Sequence, residues 1–242
     1  MKISIKENYD KMSKKAADFI INYINNKPDT LLCIAGGETP MCIFKYLAEY
    51  SSQKKVDFSK CKFVSLDEWV GLGRDTRGSC KETLYNHFFD LINITEDQIC
   101  FFDGLTSDLE KECKRVDKFI SDNGNIDLIV LGIGMNGHIG FNEPNVPLDT
   151  YCHVVGLDPV TKDVSVKYFD KALDVKQGIS LGMKTINEAD TILLIANDLR
   201  KSDIVKKTIE GEKTPKVPSS LLKDFPKLYF FLDEAAASKL DK

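Results

Sequence analysis

The sequence predicts an α/β fold in which a mainly parallel central sheet is flanked by helices on both faces, as a single domain over residues 1–242. Two observations lead to this prediction. Short, continuous apolar runs recur along the chain, which is typical of strands that are buried on both faces of a sheet. Segments with the helical apolar repeat separate these runs. In such sheets ligands bind beyond the carboxyl ends of the strands.

The predicted helices and strands alternate along the chain. The helical repeat predicts helices over residues 8–26, 40–53, 80–92 and 107–122, and a further helix from about residue 199. The apolar runs predict strands over residues 31–35, 63–66, 99–102, 126–134, 191–196 and 228–232. No internal repeat or linker interrupts this pattern, which agrees with one domain.

Composition and charge exclude several classes of protein. Lys and Arg number 33 against 37 Asp and Glu, so the net charge is −4, and 43% of the residues are hydrophobic. This acidic balance argues against a nucleic-acid partner. No apolar run approaches the ~20 residues of a membrane span, and the N-terminus has no apolar core of a secretory signal. We therefore expect a cytoplasmic protein that does not bind a membrane.

The cysteines are predicted to be reduced. There are seven, an odd number, and no pair has the C-x-x-C spacing of many metal sites. Several lie inside apolar runs, where a free thiol behaves as a small hydrophobic side chain. We prefer this interpretation to disulfides or a zinc site.

A candidate anion-binding loop, residues 35–40, lies between the first apolar run and a predicted helix. Gly36 and Gly37 permit a tight turn and close backbone approach, Thr39 can cap the helix, and Pro40 fits its first turn. N–H groups at such a helix start attract phosphate. The loop has neither the G-x-G-x-x-G pattern nor a Walker lysine, so it gives little support for nucleotide binding. An ordinary strand–turn–helix connection explains the loop equally well.

Two adjacent carboxylates follow the second apolar run. Asp67 and Glu68 stand beside Trp69, the only tryptophan, and carboxylates at a strand exit suit general acid–base chemistry. In an extended chain the two side chains point to opposite faces, so at most one lines a given pocket. Each could instead be a helix cap or a surface acid.

The densest cluster of candidate residues follows the run that ends at Gly134. Here His138 lies on a glycine-rich loop, and Glu143 is near enough in sequence to hydrogen-bond the imidazole. A histidine held by a carboxylate can move protons at neutral pH. We predict no metal, because no second His or Cys stands at ligand spacing.

Cations elsewhere in the chain could complete a phosphate pocket. Lys201 and Arg200 open the helix after the 191–196 run, and Lys167 precedes two aromatic residues. Each could equally be a solvated helix residue. A phosphate-binding loop, a carboxylate and a His–Glu pair suit proton transfers on a sugar phosphate: the histidine can open the ring, and the carboxylate can carry the C2 proton to C1.

Residues 35–40, 66–72 and 131–144 resemble the glucosamine-6-phosphate deaminase family. The likeness extends over nearly the whole chain, and the stretch Gly-His-Ile-Gly-Phe-Asn-Glu-Pro is highly specific. The segments at residues 67–69 and 78–80 look more like the galactosamine-6-phosphate branch. The resemblance implies a modified Rossmann-like fold and a cofactor-free reaction, in which an amino-sugar 6-phosphate and water give a ketose 6-phosphate and ammonia.

The resemblance also implies a role for particular residues. Asp67 matches the base that moves the C2 proton, His138 the ring-opening group, and Glu143 the carboxylate that orients it. Lys201 and the backbone of residues 37–39 match phosphate contacts.

Three departures from the family pattern concern the site. Asn136 stands where many members have Asp, so Glu143 must supply more of the charge that stabilises an imidazolium. Glu38 replaces a glycine of the phosphate loop, and we expect it to point away from the phosphate or to contact another substrate group. Lys167 stands where many members have Arg, and it offers a point charge in place of a bidentate fork.

Two alternatives to the deaminase remain at this stage. A 6-phosphogluconolactonase could use His138 as a base, although the Phe-Asn-Glu-Pro motif argues against it. A non-catalytic sugar-phosphate sensor would need a DNA-binding segment, for which one sheet leaves no room. The predicted partner is a small amino-sugar phosphate. The sequence does not distinguish the glucosamine from the galactosamine epimer as substrate, and it does not give the oligomeric state.

Overall fold

A computed structural model describes residues 1–169 and 173–241. Its strands are β1 (Lys2–Lys6), β2 (Leu31–Ile34), β3 (Lys62–Ser65), β4 (Asp67–Trp69), β5 (Ile99–Cys100), β6 (Leu128–Gly132), β7 (His153–Gly156), β8 (Gln177–Ser180), β9 (Thr191–Ala196) and β10 (Leu228–Asp233). Its α-helices are α1 (Tyr9–Asn26), α2 (Met41–Ser52), α3 (Cys80–His87), α4 (Leu109–Asp122), α5 (Pro159–Ser165), α6 (Met183–Asn187) and α7 (Ser202–Ile209).

Seven strands form the central sheet, in the order β1-β10-β9-β6-β2-β3-β5. Every neighbouring pair in it is parallel, which confirms the predicted fold class. From β2 the chain proceeds outward to β3 and β5, and it then returns to place β6 on the other side of β2. The order therefore reverses between β2 and β6, and such a switch point opens a crevice at the carboxyl ends of the strands.

Both faces of the central sheet are covered by helices. Along β2, the side chains of Leu32 and Ile34 pack on one face and those of Leu31 and Cys33 on the other, as the pleat requires. Helices α1, α2 and α3 contribute to the first core, and α4, α6 and α7 contribute to the second. This double cover explains why the central strands are uniformly apolar in sequence.

A second, three-stranded sheet was not predicted. It has the order β4-β8-β7 with antiparallel pairing, and it places Asp67 opposite Ser180. Its strands are three or four residues long and carry polar residues, so they lack the apolar runs that marked the central strands. The edge strand β1 and helices α5 and α6 were also missed.

Several element boundaries differ from the predictions. The helix predicted over residues 80–92 ends at His87 and is followed by a short 3-10 turn at Phe89–Leu91. The predicted helix from residue 199 begins as a 3-10 turn, Leu199–Lys201, before α7. All seven cysteines are free, and five of them are buried, as predicted. Over the described ranges, the helices are too short or too polar to cross a membrane.

Candidate active site

A cleft of about 540 Å³ lies at the carboxyl ends of the central strands. Loops after β2, β6 and β9 surround it, together with β4 and α5, as the switch point between β2 and β6 requires. Eight of the predicted site residues line it: Gly36, Gly37, Glu38, Thr39, Asp67, His138, Lys167 and Lys201. The other two, Asn136 and Glu143, contact His138 but are not part of the cleft lining.

Asp67 and Glu68 have separate tasks, as the alternation of an extended chain predicts. Asp67 lines the cleft, whereas the fully buried Glu68 points toward the start of α3. There the Glu68 carboxylate accepts hydrogen bonds from the backbone N–H groups of Cys80 (3.0 Å) and Lys81 (2.8 Å). Glu68 is therefore a helix-anchoring residue, and Asp67 is the acid–base candidate.

The environment of Asp67 suits a proton acceptor. Burial raises the pKa of its carboxyl to about 6, and a hydrogen bond from the Cys80 thiol together with the charge of His138 limits this rise. A carboxylate with a higher pKa binds a proton more strongly, and it is still ionised at neutral pH.

The imidazole of His138 is held on one side by two oxygen atoms. Its Nδ1 lies 3.3 Å from Glu143 Oε2 and 3.0 Å from Thr161 Oγ1, on α5. An anionic Glu143 favours the tautomer with its proton on Nδ1. The Nε2 atom is then the basic nitrogen, and it lies on the cleft side of the ring beside Gly134.

Gly134 is required for this position of the imidazole. A Cβ atom at residue 134 would lie 2.3 Å from both Nε2 and Cδ2 of His138. Only glycine lets the ring approach the backbone this closely, so the glycine-rich strand exit has a packing function at this point.

Glu143 is arranged to remain charged. Burial by itself would raise the pKa of its carboxyl, but hydrogen bonds and the charge of His138 outweigh burial and lower the pKa to about 2. Asn136 contributes, because its Nδ2 donates to Glu143 Oε2 at 3.0 Å while its Oδ1 accepts from the His138 backbone N–H. Asn136 thus acts on the carboxylate and on the loop backbone, and Glu143 supplies the negative charge.

The loop over residues 35–40 is fixed by Tyr9, not by Thr39 as expected. Helix α2 begins after Pro40, which makes no side-chain capping bond. The Tyr9 hydroxyl accepts a hydrogen bond from Cys42 N (3.1 Å) and donates to Thr39 O (2.9 Å). The expected cap at Thr39 was therefore wrong, because a side chain from α1 occupies that position.

The two loop glycines differ in their surroundings. A Cβ at Gly36 would lie 2.8 Å from both the Cα and Cβ atoms of Cys80, so only glycine fits between the loop and α3. A Cβ at Gly37 would meet no atom within 4 Å. The predicted close backbone approach is thus found at Gly36 only.

Lys201 is the most buried cation of the cleft. Its Nζ donates to Ile133 O at 2.5 Å, and burial lowers its pKa to about 8, with the nearby charges of Lys167 and Arg200 as further causes. The turn before it is held by Asp233, whose carboxylate accepts from the Asp198 backbone N–H at 3.1 Å. An anion bound here would stabilise the charged ammonium.

Two more cations lie at the rim of the cleft, and both are paired with acids. Lys167 Nζ is 2.5 Å from Glu38 Oε2, and Arg200 Nε is 3.2 Å from Asp198 Oδ1. Glu38 therefore points toward Lys167. A group of three cations at one end of a cleft provides the positive potential that a phosphate requires.

Aromatic side chains form another part of the wall. The Trp69 ring packs against Phe141 with centroids 4.6 Å apart, and Phe169 and Tyr168 lie on the same ring at 5.7 and 6.5 Å. Small-molecule sites usually combine apolar walls with a few polar groups.

Four residues of the site were missed by the sequence analysis. Tyr9 and Thr161 hold the loop and the imidazole, Cys80 contacts Asp67, and Asp233 holds the Lys201 turn. Each is separated in sequence from the residue that it contacts by 13 residues or more. No local motif marks them, so only the tertiary fold reveals them.

No group of three or more His, Cys, Asp or Glu side chains suited to a metal ion occurs in residues 1–169 and 173–241. Among the described residues that line the cleft, Asp67 is a buried carboxylate that makes no ion pair, His138 is an imidazole, and Lys167, Arg200 and Lys201 are cations. This set can bind a phosphate at one end and move protons at the other.

The sequence profile of the family described as glucosamine-6-phosphate isomerases/6-phosphogluconolactonase matches residues 5–229. A relative from Thermoanaerobacter pseudethanolicus, named glucosamine-6-phosphate deaminase, is 39% identical and aligns over 98% of this chain and 94% of its own. A relative of the same name from Clostridium botulinum is also 39% identical, over 100% of this chain and 99% of its own.

Solved structures agree with these sequence relationships. A monomeric glucosamine-6-phosphate deaminase superposes with a TM-score of 0.95 at 32% identity, over 98% of this chain and 99% of that one. A 6-phosphogluconolactonase from Trypanosoma cruzi has a TM-score of 0.79 at 18% identity, over 100% of this chain and 97% of its own, which shows a shared fold.

Proposed function

The chain belongs to the glucosamine-6-phosphate isomerase/6-phosphogluconolactonase family, and from this premise we propose that it is a glucosamine-6-phosphate deaminase. The reaction converts glucosamine 6-phosphate and water to fructose 6-phosphate and ammonia. The observation that carries the proposal is that Asp67 and His138, from distant parts of the chain, line one cleft with Lys201. The full-length relatives named as deaminases support the same substrate.

The phosphate binds at the cationic end of the cleft. Lys201 supplies a charge from the 3-10 turn after β9, Lys167 supplies one from the rim at the same end, and residues 37–39 line the same space. Binding the phosphate here fixes the sugar by its C6 end. Its C1 and C2 atoms then extend toward His138 and Asp67.

His138 opens the sugar ring. Nε2 accepts the proton of the O1 hydroxyl and delivers a proton to the ring oxygen, so the C1–O5 bond breaks and an aldehyde forms at C1. The imidazolium that exists between the two transfers is stabilised by Glu143, which lies 3.3 Å from Nδ1 and carries a full charge. The two nitrogen atoms of the ring thus have distinct roles.

Asp67 then isomerises the open chain. Its carboxylate removes the proton from C2, and the same carboxyl returns a proton to C1. C1 then carries a hydroxyl group, and C2 becomes the carbon of an imine. Water adds to this imine carbon and ammonia leaves, which gives the ketose 6-phosphate. The raised pKa of Asp67 favours both the removal of the proton and its retention until C1 accepts it.

An ammonia-release assay tests the proposal. The purified protein is incubated separately with glucosamine 6-phosphate, galactosamine 6-phosphate and 6-phosphogluconolactone, and ammonia, ketose phosphate and acid are measured. We expect ammonia and fructose 6-phosphate from the first substrate. Faster ammonia release from galactosamine 6-phosphate would mean that the substrate is the galactosamine epimer. Acid formation from the lactone alone would mean that the protein is a lactonase. Binding of a sugar phosphate without turnover would mean that it is a sensor.

A further inference from the structure

The start of α3 is held against β4 in a defined position. Glu68 accepts the backbone N–H groups of Cys80 and Lys81, the first residues of this helix. Cys80 thus contacts both acids, since its backbone N–H donates to Glu68 while its side chain lies beside Asp67. The Cys80 Sγ lies 3.4 Å from Asp67 Oδ1, a hydrogen-bond distance for sulfur.

The Cys80 side chain is a donor at this position. It is buried at 6% exposure and lines the cleft. Burial, with the Asp67 and Glu68 carboxylates nearby, raises the pKa of its thiol well above the ordinary value, so the S–H proton stays on sulfur. An S–H group donates weakly, but a charged acceptor strengthens such a bond.

The other side chains near Asp67 influence its charge, but the side-chain hydrogen bond to its carboxyl comes from Cys80. The titratable groups that influence Asp67 are His138 in the cleft, Cys33 on β2, the adjacent Glu68 and Tyr168. Of the side chains in the described ranges, Cys80 is the one hydrogen-bonded to the Asp67 carboxyl. The second oxygen, Oδ2, lies on the side of Gly140, where a Cβ atom would be 3.3 Å away.

We propose that Cys80 is a positioning residue for Asp67: the Cys80 thiol holds the Oδ1 atom of Asp67, so that the Oδ2 atom of Asp67 faces the substrate. This inference rests on the proposed function. Since both oxygens of a free carboxylate are equivalent, one donor is enough to fix the plane of the group and to select the oxygen that meets C2. The same bond favours the ionised carboxylate, which the first proton transfer needs.

The contact is tested by titrating the Asp67 carboxyl by carbon NMR in the wild type and in Cys80→Ala and Cys80→Ser variants, with Asp67→Asn to assign the resonance. Cys61→Ala is the matched control, since Cys61 is also buried but donates to Pro28 O away from the cleft. We expect a higher midpoint in Cys80→Ala, a lower one in Cys80→Ser than in Cys80→Ala, and no change in Cys61→Ala. Equal midpoints in the wild type and Cys80→Ala overturn the inference.

Kinetics provide the functional measurement. In Cys80→Ala we expect kcat to fall about tenfold and the acidic limb of its pH profile to move to higher pH, with Cys80→Ser nearer to the wild type. A merely structural role would lower the rate without moving the limb. Absence of turnover in the wild type would overturn the proposed function, while the titration would still decide whether Cys80 holds Asp67.

A second measurement covers the case in which Cys80→Ala does not fold. The difference infrared spectrum between the wild type and Cys80→Ser isolates the S–H stretch of Cys80. This band should move to lower frequency as Asp67 ionises, because a charged acceptor weakens the S–H bond. A band that does not respond to the Asp67 titration overturns the inference.

Discussion

Lys167 and Glu38 form an ion pair at the rim of the cleft, with Lys167 Nζ 2.5 Å from Glu38 Oε2. Lys167 comes from the 3-10 turn after α5, and Glu38 comes from the loop between β2 and α2. The two side chains are 39% and 57% exposed, so the pair is screened by water and contributes little stability. Its consequence is functional, because a phosphate in the cleft must compete with Glu38 for Lys167.

Glu38→Gln should therefore improve substrate binding. We expect KM for the sugar phosphate to fall about threefold to tenfold, since one negative charge leaves the phosphate site and Lys167 is freed, while kcat changes little. Lys167→Ala should raise KM. Steady-state kinetics at low and high salt measure both effects, with the exposed Glu212→Gln as the control. A raised KM in Glu38→Gln would mean that Glu38 contacts the substrate.

Asp67→Asn should lose activity and gain stability. Removal of the proton acceptor should reduce kcat by about a hundredfold to ten-thousandfold. The pKa of Asp67 is about 6 in the folded protein against 3.8 in the free side chain, so the contribution of Asp67 to stability is present below pH 3.8 and is lost as pH rises through 6. At neutral pH its buried charge costs about 1–3 kcal/mol, which asparagine avoids.

Thermal unfolding at neutral pH measures this gain. We expect the Tm of Asp67→Asn to exceed that of the wild type by several degrees, and the difference to shrink at pH 4, where Asp67 is protonated in the native state. Near-normal turnover in this variant would remove Asp67 from the mechanism. A lower Tm at neutral pH would contradict the assignment of a costly buried charge.

Glu143→Gln should impair ring opening and alter stability in acid. Loss of the charge beside Nδ1 should reduce turnover about a hundredfold, because the imidazolium is no longer compensated. The pKa of Glu143 is lowered from 4.5 to about 2, so its stabilisation is present above pH 4.5 and is lost as pH falls toward 2.

Denaturant titrations between pH 6 and pH 2 check the acid effect. The wild type should lose about 3 kcal/mol more than Glu143→Gln over this range, with Glu212→Gln behaving as the wild type does. Parallel curves for the wild type and Glu143→Gln would show that Glu143 does not stabilise the fold by its charge.

The central sheet could be predicted because burial of its strands on both faces leaves a signal within each short stretch of sequence. Strands β2, β6, β9 and β10 are covered on both faces, so each is an uninterrupted apolar run. The site residues that follow such runs could also be predicted, because parallel strands deliver their carboxyl ends to one edge of the sheet. His138 and Lys201 were placed in this way.

The remainder of the site depends on contacts between distant segments. Strands β4, β7 and β8 are short and pair in an antiparallel sheet that no apolar run marks. Thr161 reaches His138 only because α5 lies over the cleft, and 23 residues separate them in the chain. The expected cap at Thr39 failed for the same reason, since the sequence near α2 does not show that Tyr9 arrives from α1.

Tyr9→Phe should weaken substrate binding without changing the chemistry. The Tyr9 hydroxyl connects Cys42 N and Thr39 O, so its loss leaves the loop over residues 35–40 less ordered, and we expect KM to rise about threefold to tenfold with kcat nearly unchanged. Tyr46→Phe is the matched control, because its hydroxyl also joins α1 and α2, through Asp10, but lies away from the loop. Steady-state kinetics and Tm are measured for both variants. Equal KM values in the two would show that Tyr9 stabilises the helix pair alone, whereas a rise confined to Tyr9→Phe would tie the loop geometry to phosphate binding.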